Sequence, residues 1–181
     1  LGAVDILEAA LIGVVILLVV GAISPEEAYQ SINWSVIIMI AAFVPVGIAM
    51  ERSGAAEMIA SLVSNFGSNF DVQMAPHASM SLMFLISIII TSLMSNNTAA
   101  IILIPIAISV STQMNVDAKP FIFAVAFGAS TSFATPMGYQ TNLMVYGPGQ
   151  YKFSDFVKVG VPLNIIFWLL GTFFIPIIWS F

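Results

Sequence analysis

Long apolar runs alternate along this chain with short knots of charge. The charges fall at Asp5 and Glu8, at Glu26 and Glu27, at Glu51, Arg52 and Glu57, at Asp71, at Asp117 and Lys119, and at Lys152, Asp155 and Lys158; none follows up to Phe181. Burying a charge in hydrocarbon is expensive, so such knots mark the ends of buried stretches. The first run, about Ala9 to Ile23, stops at Ser24-Pro25-Glu26, a signal that ends one helix and restarts a short one. The second runs from Trp34, placed as an interfacial anchor, to Met50, and its Pro45 predicts a kink. Gly54 to Phe66 has another texture. Met58, Ile59, Leu62, Val63 and Phe66 recur at helical spacing while Glu57, Ser61, Ser64 and Asn65 fall elsewhere. That pattern predicts an amphipathic helix, lying in a membrane interface or packed on the protein surface.

No charged residue lies between Asp71 and Asp117. A straight helix of that length would reach roughly 65 Å, about twice the hydrocarbon thickness of a bilayer. The segment must turn back, and Ser95-Asn96-Asn97-Thr98 is the natural turning point. The arms, Ser79 to Met94 and Thr98 to Val110, would each be about 20–25 Å long. Arms too short to cross, joined by a polar tip, predict a re-entrant hairpin ending near mid-membrane; the same run is also compatible with an exposed loop between two complete spans. Phe121 to Phe133 then makes a half-length helix, Ala134 to Asn142 is a poor helix former, and Leu143 to Tyr146 resumes briefly before Gly147-Pro148-Gly149. This predicts a discontinuous helix. A last span is expected from about Val161, with Pro162 in its first turn, to Trp179.

Composition agrees with lipid as the solvent. The chain has 181 residues, of which 60% are hydrophobic and 7% charged, against about a quarter charged in a soluble domain. Mean hydropathy is +1.05. These values exclude a soluble enzyme and a disordered chain, and a net charge of −5 leaves no basic patch for nucleic acid. With no cysteine and one histidine, thiolate and His-based metal sites are not expected. The lone His77 lies outside the serine clusters, so no nucleophile–base pair and no enzyme activity are expected. No signal peptide is recognised at the start, and a first residue other than Met is compatible with a fragment or a processed product.

The chemistry lies in the two polar breaks. An unpaired backbone N–H or C=O in hydrocarbon costs several kcal/mol, so irregular backbone at membrane depth must be covered by protein or by an aqueous cavity. Two breaks in one short chain are best explained if they meet around a ligand, the plan of transporters with discontinuous helices. Asn97 would cap the arm from Thr98, and Asn142 the half-helix after it. Helix N-termini can then hold an anion without Arg or Lys. Carbonyls near Met94 and Phe133, the hydroxyls of Thr91 and Ser95 and the amide oxygen of Asn96 would form an oxygen cage suited to Na⁺. The expectation is an anion and Na⁺ sharing one neutral site. In the competing reading the polar breaks are helix–helix glue in a non-transporting assembly subunit.

Thr91-Ser-Leu-Met-Ser95-Asn96-Asn97-Thr98-Ala-Ala resembles the second hairpin motif of the divalent-anion:sodium symporter (DASS) family. Ser-Phe-Ala134-Thr135-Pro136-Met-Gly138-Tyr-Gln-Thr141-Asn142-Leu-Met-Val-Tyr-Gly147 resembles that family's second unwound helix. The stretch from Gly149 to Phe181 looks like the bacterial branch whose members carry TrkA-C regulatory domains. The resemblance implies an all-α integral membrane fold of two inverted repeats, of which this chain is the C-terminal one, needing an N-terminal half of the same carrier. It implies scaffold helices over residues 1–53 and an interfacial helix and linker over 54–75. The transport-domain half would be 76–181, with the hairpin at 76–116, the broken helix at 120–148 and the last span at 159–180. It implies a homodimer in the bilayer, in a bacterial inner (plasma) membrane, working as an elevator.

By position, Thr91, Ser95 and Asn96 fall on the family's Na⁺ site, with backbone at Ala134 and Gly138 as partners. The Ser95, Asn96, Asn97 and Thr98 motif falls on the substrate loop of the hairpin, and Thr135, Pro136, Gly138, Thr141 and Asn142 on the second substrate loop. The implied cargo is a small divalent anion, sulfate or a dicarboxylate, with Na⁺ as coupling ion and no cofactor. Two departures bear on which anion. Asn97 stands where the motif usually has Thr, and Met137-Gly-Tyr-Gln140 is bulkier than the loop of dicarboxylate carriers. An ion-exchange or metalloid-efflux carrier of the same superfamily is the alternative.

Overall fold

The computed structural model describes residues 6–32 and 34–181; the opening charge Asp5 lies outside them. Nine helices and no strand are formed by the described residues: α1 (Ile6–Val19), α2 (Pro25–Gln30), α3 (Trp34–Arg52), α4 (Ala55–Gly67), α5 (Ala75–Thr91), α6 (Asn96–Met114), α7 (Lys119–Ser130), α8 (Gln140–Tyr146) and α9 (Phe153–Ile178). The chain divides into two units, Leu1–Ala41 and Ala42–Phe181.

In the first unit the stop-and-restart signal is realised as a capping box. The Ser24 hydroxyl accepts from the Glu27 N–H at 3.2 Å, and the Glu27 carboxylate accepts from the Ser24 N–H at 2.8 Å. These bonds to the Ser24 backbone and hydroxyl hold the Glu27 carboxyl below its ordinary pKa. Their contribution is therefore present above the ordinary carboxylate range and lost as pH falls through the lowered value.

The second unit is built around α5, which packs against α4, α6, α7 and α9. Met80, Met83, Phe84 and Ile88 of α5 meet Leu103, Ile106, Ala107 and Val110 of α6, Phe121, Ala124 and Val125 of α7, and Ala56, Ala60 and Val63 of α4. Close approach is set by small residues. Gly128 of α7 lies against Ser87 and Phe84, and a Cβ there would stand 2.7 Å from the Ser87 Cβ and 2.9 Å from the Phe84 carbonyl. Interhelical hydrogen bonds complete the contact: the Ser87 hydroxyl donates to the Val125 carbonyl at 2.8 Å and the Ser79 hydroxyl to the Val63 carbonyl at 3.2 Å. Small residues and hydroxyl bridges replace the hydrophobic drive that helices lack in lipid. Gly128→Val should destabilise the fold by about 1–3 kcal/mol through overpacking, seen as a lower melting temperature in detergent.

Helix α4 confirms the amphipathic segment but turns it differently from the pattern. Ala56, Ala60, Val63 and Gly67 face inward, whereas Met58 and Leu62 are 66% and 68% exposed. The small residues face the bundle because they allow the backbones to approach; of the periodic set Val63 and Ile59 pack inward, whereas Met58, Leu62 and Phe66 face outward.

Three boundaries differ from the sequence expectation. Helix α6 starts at Asn96, and its N-cap is Ser95 rather than Asn97, with the Ser95 hydroxyl accepting from the Thr98 N–H at 3.4 Å. It runs for 19 residues, about 28 Å, so by length and composition it is long enough to cross a bilayer, unlike the short arm expected. Helix α8 starts at Gln140, which puts Asn142 inside its first turn instead of at the cap. Helix α9 begins at Phe153, so Pro162 lies within it and not in its first turn. Charged Asp155 and Lys158 do not stop this helix, because the Asp155 carboxylate accepts from the Lys152 N–H at 2.8 Å and starts it. Among the described residues α6 and α9 are long and apolar enough to cross a membrane. Ile165, Ile166, Phe167, Leu169, Leu170, Phe173 and Phe174 of α9 are all exposed. An apolar surface so continuous is untenable in water and ordinary in lipid.

Candidate functional site

Two helix interruptions lie side by side. The first is the turn 92–95 between α5 and α6, and the second is the nine-residue segment 131–139 between α7 and α8. Side chains from each satisfy backbone of the other. The Thr135 hydroxyl donates to the Ser92 carbonyl at 2.7 Å, and the Ser132 hydroxyl to the Thr91 carbonyl at 3.4 Å. The Thr91 hydroxyl donates to the Ala129 carbonyl at 2.7 Å. These acceptors are the free carbonyls of the α5 and α7 C-termini, which no intrahelical N–H can reach.

Asn96 closes the cluster. Its amide end lies 2.8 Å from the Thr91 hydroxyl, 3.1 Å from the Ala129 carbonyl and 3.2 Å from the Gly138 carbonyl. Nitrogen and oxygen of an amide share one outline, and the partners decide between them. With nitrogen inward, the two amide hydrogens of Asn96 can serve the Thr91 hydroxyl and the Gly138 carbonyl, while the Thr91 hydroxyl donates to the Ala129 carbonyl. With oxygen inward, four oxygens converge and the single Thr91 proton cannot bridge them all. Gly138 permits this geometry by close approach: a Cβ there would collide with the Ser132 hydroxyl and stand 2.7 Å from the Thr91 carbonyl.

The expected site residues take distinct places. Thr91, Asn96 and Gly138 are brought together, with the Ala129 carbonyl as their fourth member. Ala134 instead packs against Gly160 of α9, and Pro136 is buried. The Ser95 hydroxyl pairs with that of Thr98 at 2.7 Å on the tip of the turn. Asn97 and Thr141 are exposed. The Asn142 amide points back into the break and donates to the Ser132 carbonyl at 2.9 Å and the Thr135 carbonyl at 3.2 Å. It therefore braces the loop rather than capping α8. Met94 and Phe133 lie past the last helical residues, Thr91 and Ser130, so the C-terminal carbonyls come from a turn earlier than expected. Ala129, Ser92 and Ser132 were not singled out from the sequence, because a backbone carbonyl leaves no residue-type signal.

An all-helical fold with a lipid-compatible exterior and two mutually braced helix breaks defines an integral membrane protein. The chain belongs to the citrate transporter family (CitMHS), which it matches over residues 1–181. It is 37% identical over 168 residues to the uncharacterized transporter sll0640 of Synechocystis, covering 93% of this chain and 27% of that one. It is 35% identical over 159 residues to the uncharacterized transporter YfbS of Escherichia coli, covering 88% and 25%. It is 31% identical over 162 residues to sodium/sulfate cotransporter 2 of Chlamydomonas reinhardtii, covering 90% and 18%. The chain thus spans about a quarter or less of the length of these relatives. All three are named as transporters.

Proposed function

We propose that this chain forms one half of a Na⁺-coupled symporter for a small divalent anion, with sulfate ahead of dicarboxylates. The observation that carries the reading is the convergence of Thr91, Asn96, Ala129 and Gly138 at the seam of the two breaks. With the Asn96 oxygen inward, an oxygen-only cluster results, and a hard cation with oxygen distances of about 2.3–2.6 Å is the partner that makes it favourable. With the nitrogen inward the cluster closes on itself. Asn96 is thus an amide with two satisfied states, one for each occupancy. The anion would meet the N–H groups at the start of α6 beside Asn97 and Thr98, where the helix end carries partial positive charge. A cation bound at Thr91 and Asn96 lies within a turn of that position, which couples the two cargos electrostatically.

In this reading α5 and α6 form the re-entrant hairpin and α7 and α8 the discontinuous helix of a transport domain. A second repeat supplies the other half of the site, and an elevator movement in a homodimer carries it across a bacterial inner membrane. Sodium and sulfate in the name of a relative support the choice of cargo. The test is sulfate uptake by the complete protein in liposomes. An inward Na⁺ gradient should drive accumulation that an equal choline gradient does not; sulfate entry indifferent to Na⁺ would remove the symport assignment.

The glue reading has one observation in its favour: with nitrogen inward, every polar group of the cluster is paired. It predicts that a cysteine at Asn97 stays sealed from aqueous maleimide under all conditions. The symport reading predicts labelling that anion and Na⁺ suppress.

A further inference from the structure

Helix α9 touches the 131–139 break at two points. Gly160 is pressed so close to Phe133 and Ala134 that a Cβ there would collide with the Phe133 backbone. One turn further along, Asn164 is only 7% exposed and is the buried polar residue of this helix. With its nitrogen turned to the break, the Asn164 amide donates to the Thr131 carbonyl at 3.2 Å and to the carbonyl of Gly160, four residues back, at 3.3 Å. Thr131 caps the C-terminus of α7, and among the described residues no other donor reaches its carbonyl. A buried amide in a lipid-facing helix is costly unless paired, so its position opposite a carbonyl of the break that no other donor of the described residues reaches has a structural cause.

We infer that Asn164 is a positioning residue that fixes the end of α7 against α9, and through it the Ala129 carbonyl at the cation cluster. The inference rests on the Na⁺ reading of that cluster for its functional consequence, but the tether itself does not. Ala129 lies two residues before Thr131, and Asn142 holds the next carbonyls, of Ser132 and Thr135. Two amides, half-buried Asn142 of α8 and buried Asn164 of α9, thus pin the carbonyls of one loop. Freed from Asn164, the Thr131 carbonyl would turn to find a donor and carry Ala129 with it. Partners behind a metal ligand act in this way, and losing one costs about 10- to 100-fold in affinity.

The experiment uses the complete protein in liposomes with Asn164→Leu, which keeps the volume, and Asn164→Gln, which keeps a donor. Asn164→Leu should raise the Na⁺ concentration for half-maximal sulfate uptake by about tenfold, while Asn164→Gln recovers most of the shift. A second readout needs no transport: maleimide labelling of a cysteine at Ala134, buried at the α9 seam, should quicken by about tenfold in the Asn164→Leu background. A lower maximal rate with unchanged Na⁺ dependence and unchanged labelling would reduce Asn164 to packing and overturn the inference. If the unaltered protein shows no Na⁺ dependence at all, the site reading fails, and the labelling arm alone decides whether Asn164 tethers the loop.

Discussion

Asn96→Ala should raise the Na⁺ concentration for half-maximal anion uptake by about 10- to 100-fold, equivalent to roughly 1.4–2.8 kcal/mol. The amide contacts the Thr91 hydroxyl and two carbonyls, those of Ala129 and Gly138, from the far side of the seam. Removing it leaves the Thr91 hydroxyl donating to the Ala129 carbonyl and takes the fourth oxygen away from a cation at the seam. Ser95→Ala is the informative contrast. Ser95 is exposed and its hydroxyl serves the turn, accepting from the Thr98 N–H and pairing with the Thr98 hydroxyl. Its loss should cost about 0.5–2 kcal/mol of capping and lower the amount of folded protein more than its Na⁺ affinity. Equal shifts in Na⁺ dependence for both variants would place Ser95 among the cation ligands and redraw the site.

Gly138→Val should abolish uptake. The first added carbon already collides with the Ser132 hydroxyl and stands 2.7 Å from the Thr91 carbonyl, and both neighbours are fixed within the seam. The two breaks must separate to accept it. Overpacking of this kind costs about 1–3 kcal/mol in stability, but the functional loss should be larger because the cluster spans the gap that opens. Wild-type expression and monodispersity together with background uptake would be the signature. Retained Na⁺-dependent uptake in Gly138→Val would mean that the breaks need not touch for function.

Much of this was legible in the sequence because lipid punishes errors that water forgives. Charge positions set the helix order, and the polar tetrad at Ser95 to Thr98 marks the end of the turn at 92–95 and the start of α6. The chemistry at Thr91, Asn96 and Gly138 could be read in advance because side chains and a glycine carry it. What was misplaced has a common physical cause. On residue type Asn97 and Asn142 read as caps, yet Ser95 caps two residues sooner than expected and Asn142 turns inward to brace carbonyls. Local hydrogen bonding, not composition, decided both. Charge reads as a boundary near the start of α9, whereas the helix begins at Phe153 with Asp155 in its first turn and Lys158 on its exposed face. Backbone partners such as the Ala129 carbonyl have no sequence signature. Asn164 had one, as a lone amide in an uncharged apolar run, and its meaning came only with the Thr131 carbonyl beside it.

The claim on which all else depends is that the seam between the two breaks holds the coupling cation. A high-resolution density map of the complete protein in saturating NaCl, set against one in choline chloride, tests it most directly. The account predicts a peak in NaCl only, bounded by the Thr91 hydroxyl, the Asn96 amide and the carbonyls of Ala129 and Gly138. Identical maps, with the Asn96 nitrogen donating inward and the cluster closed in both salts, would contradict it.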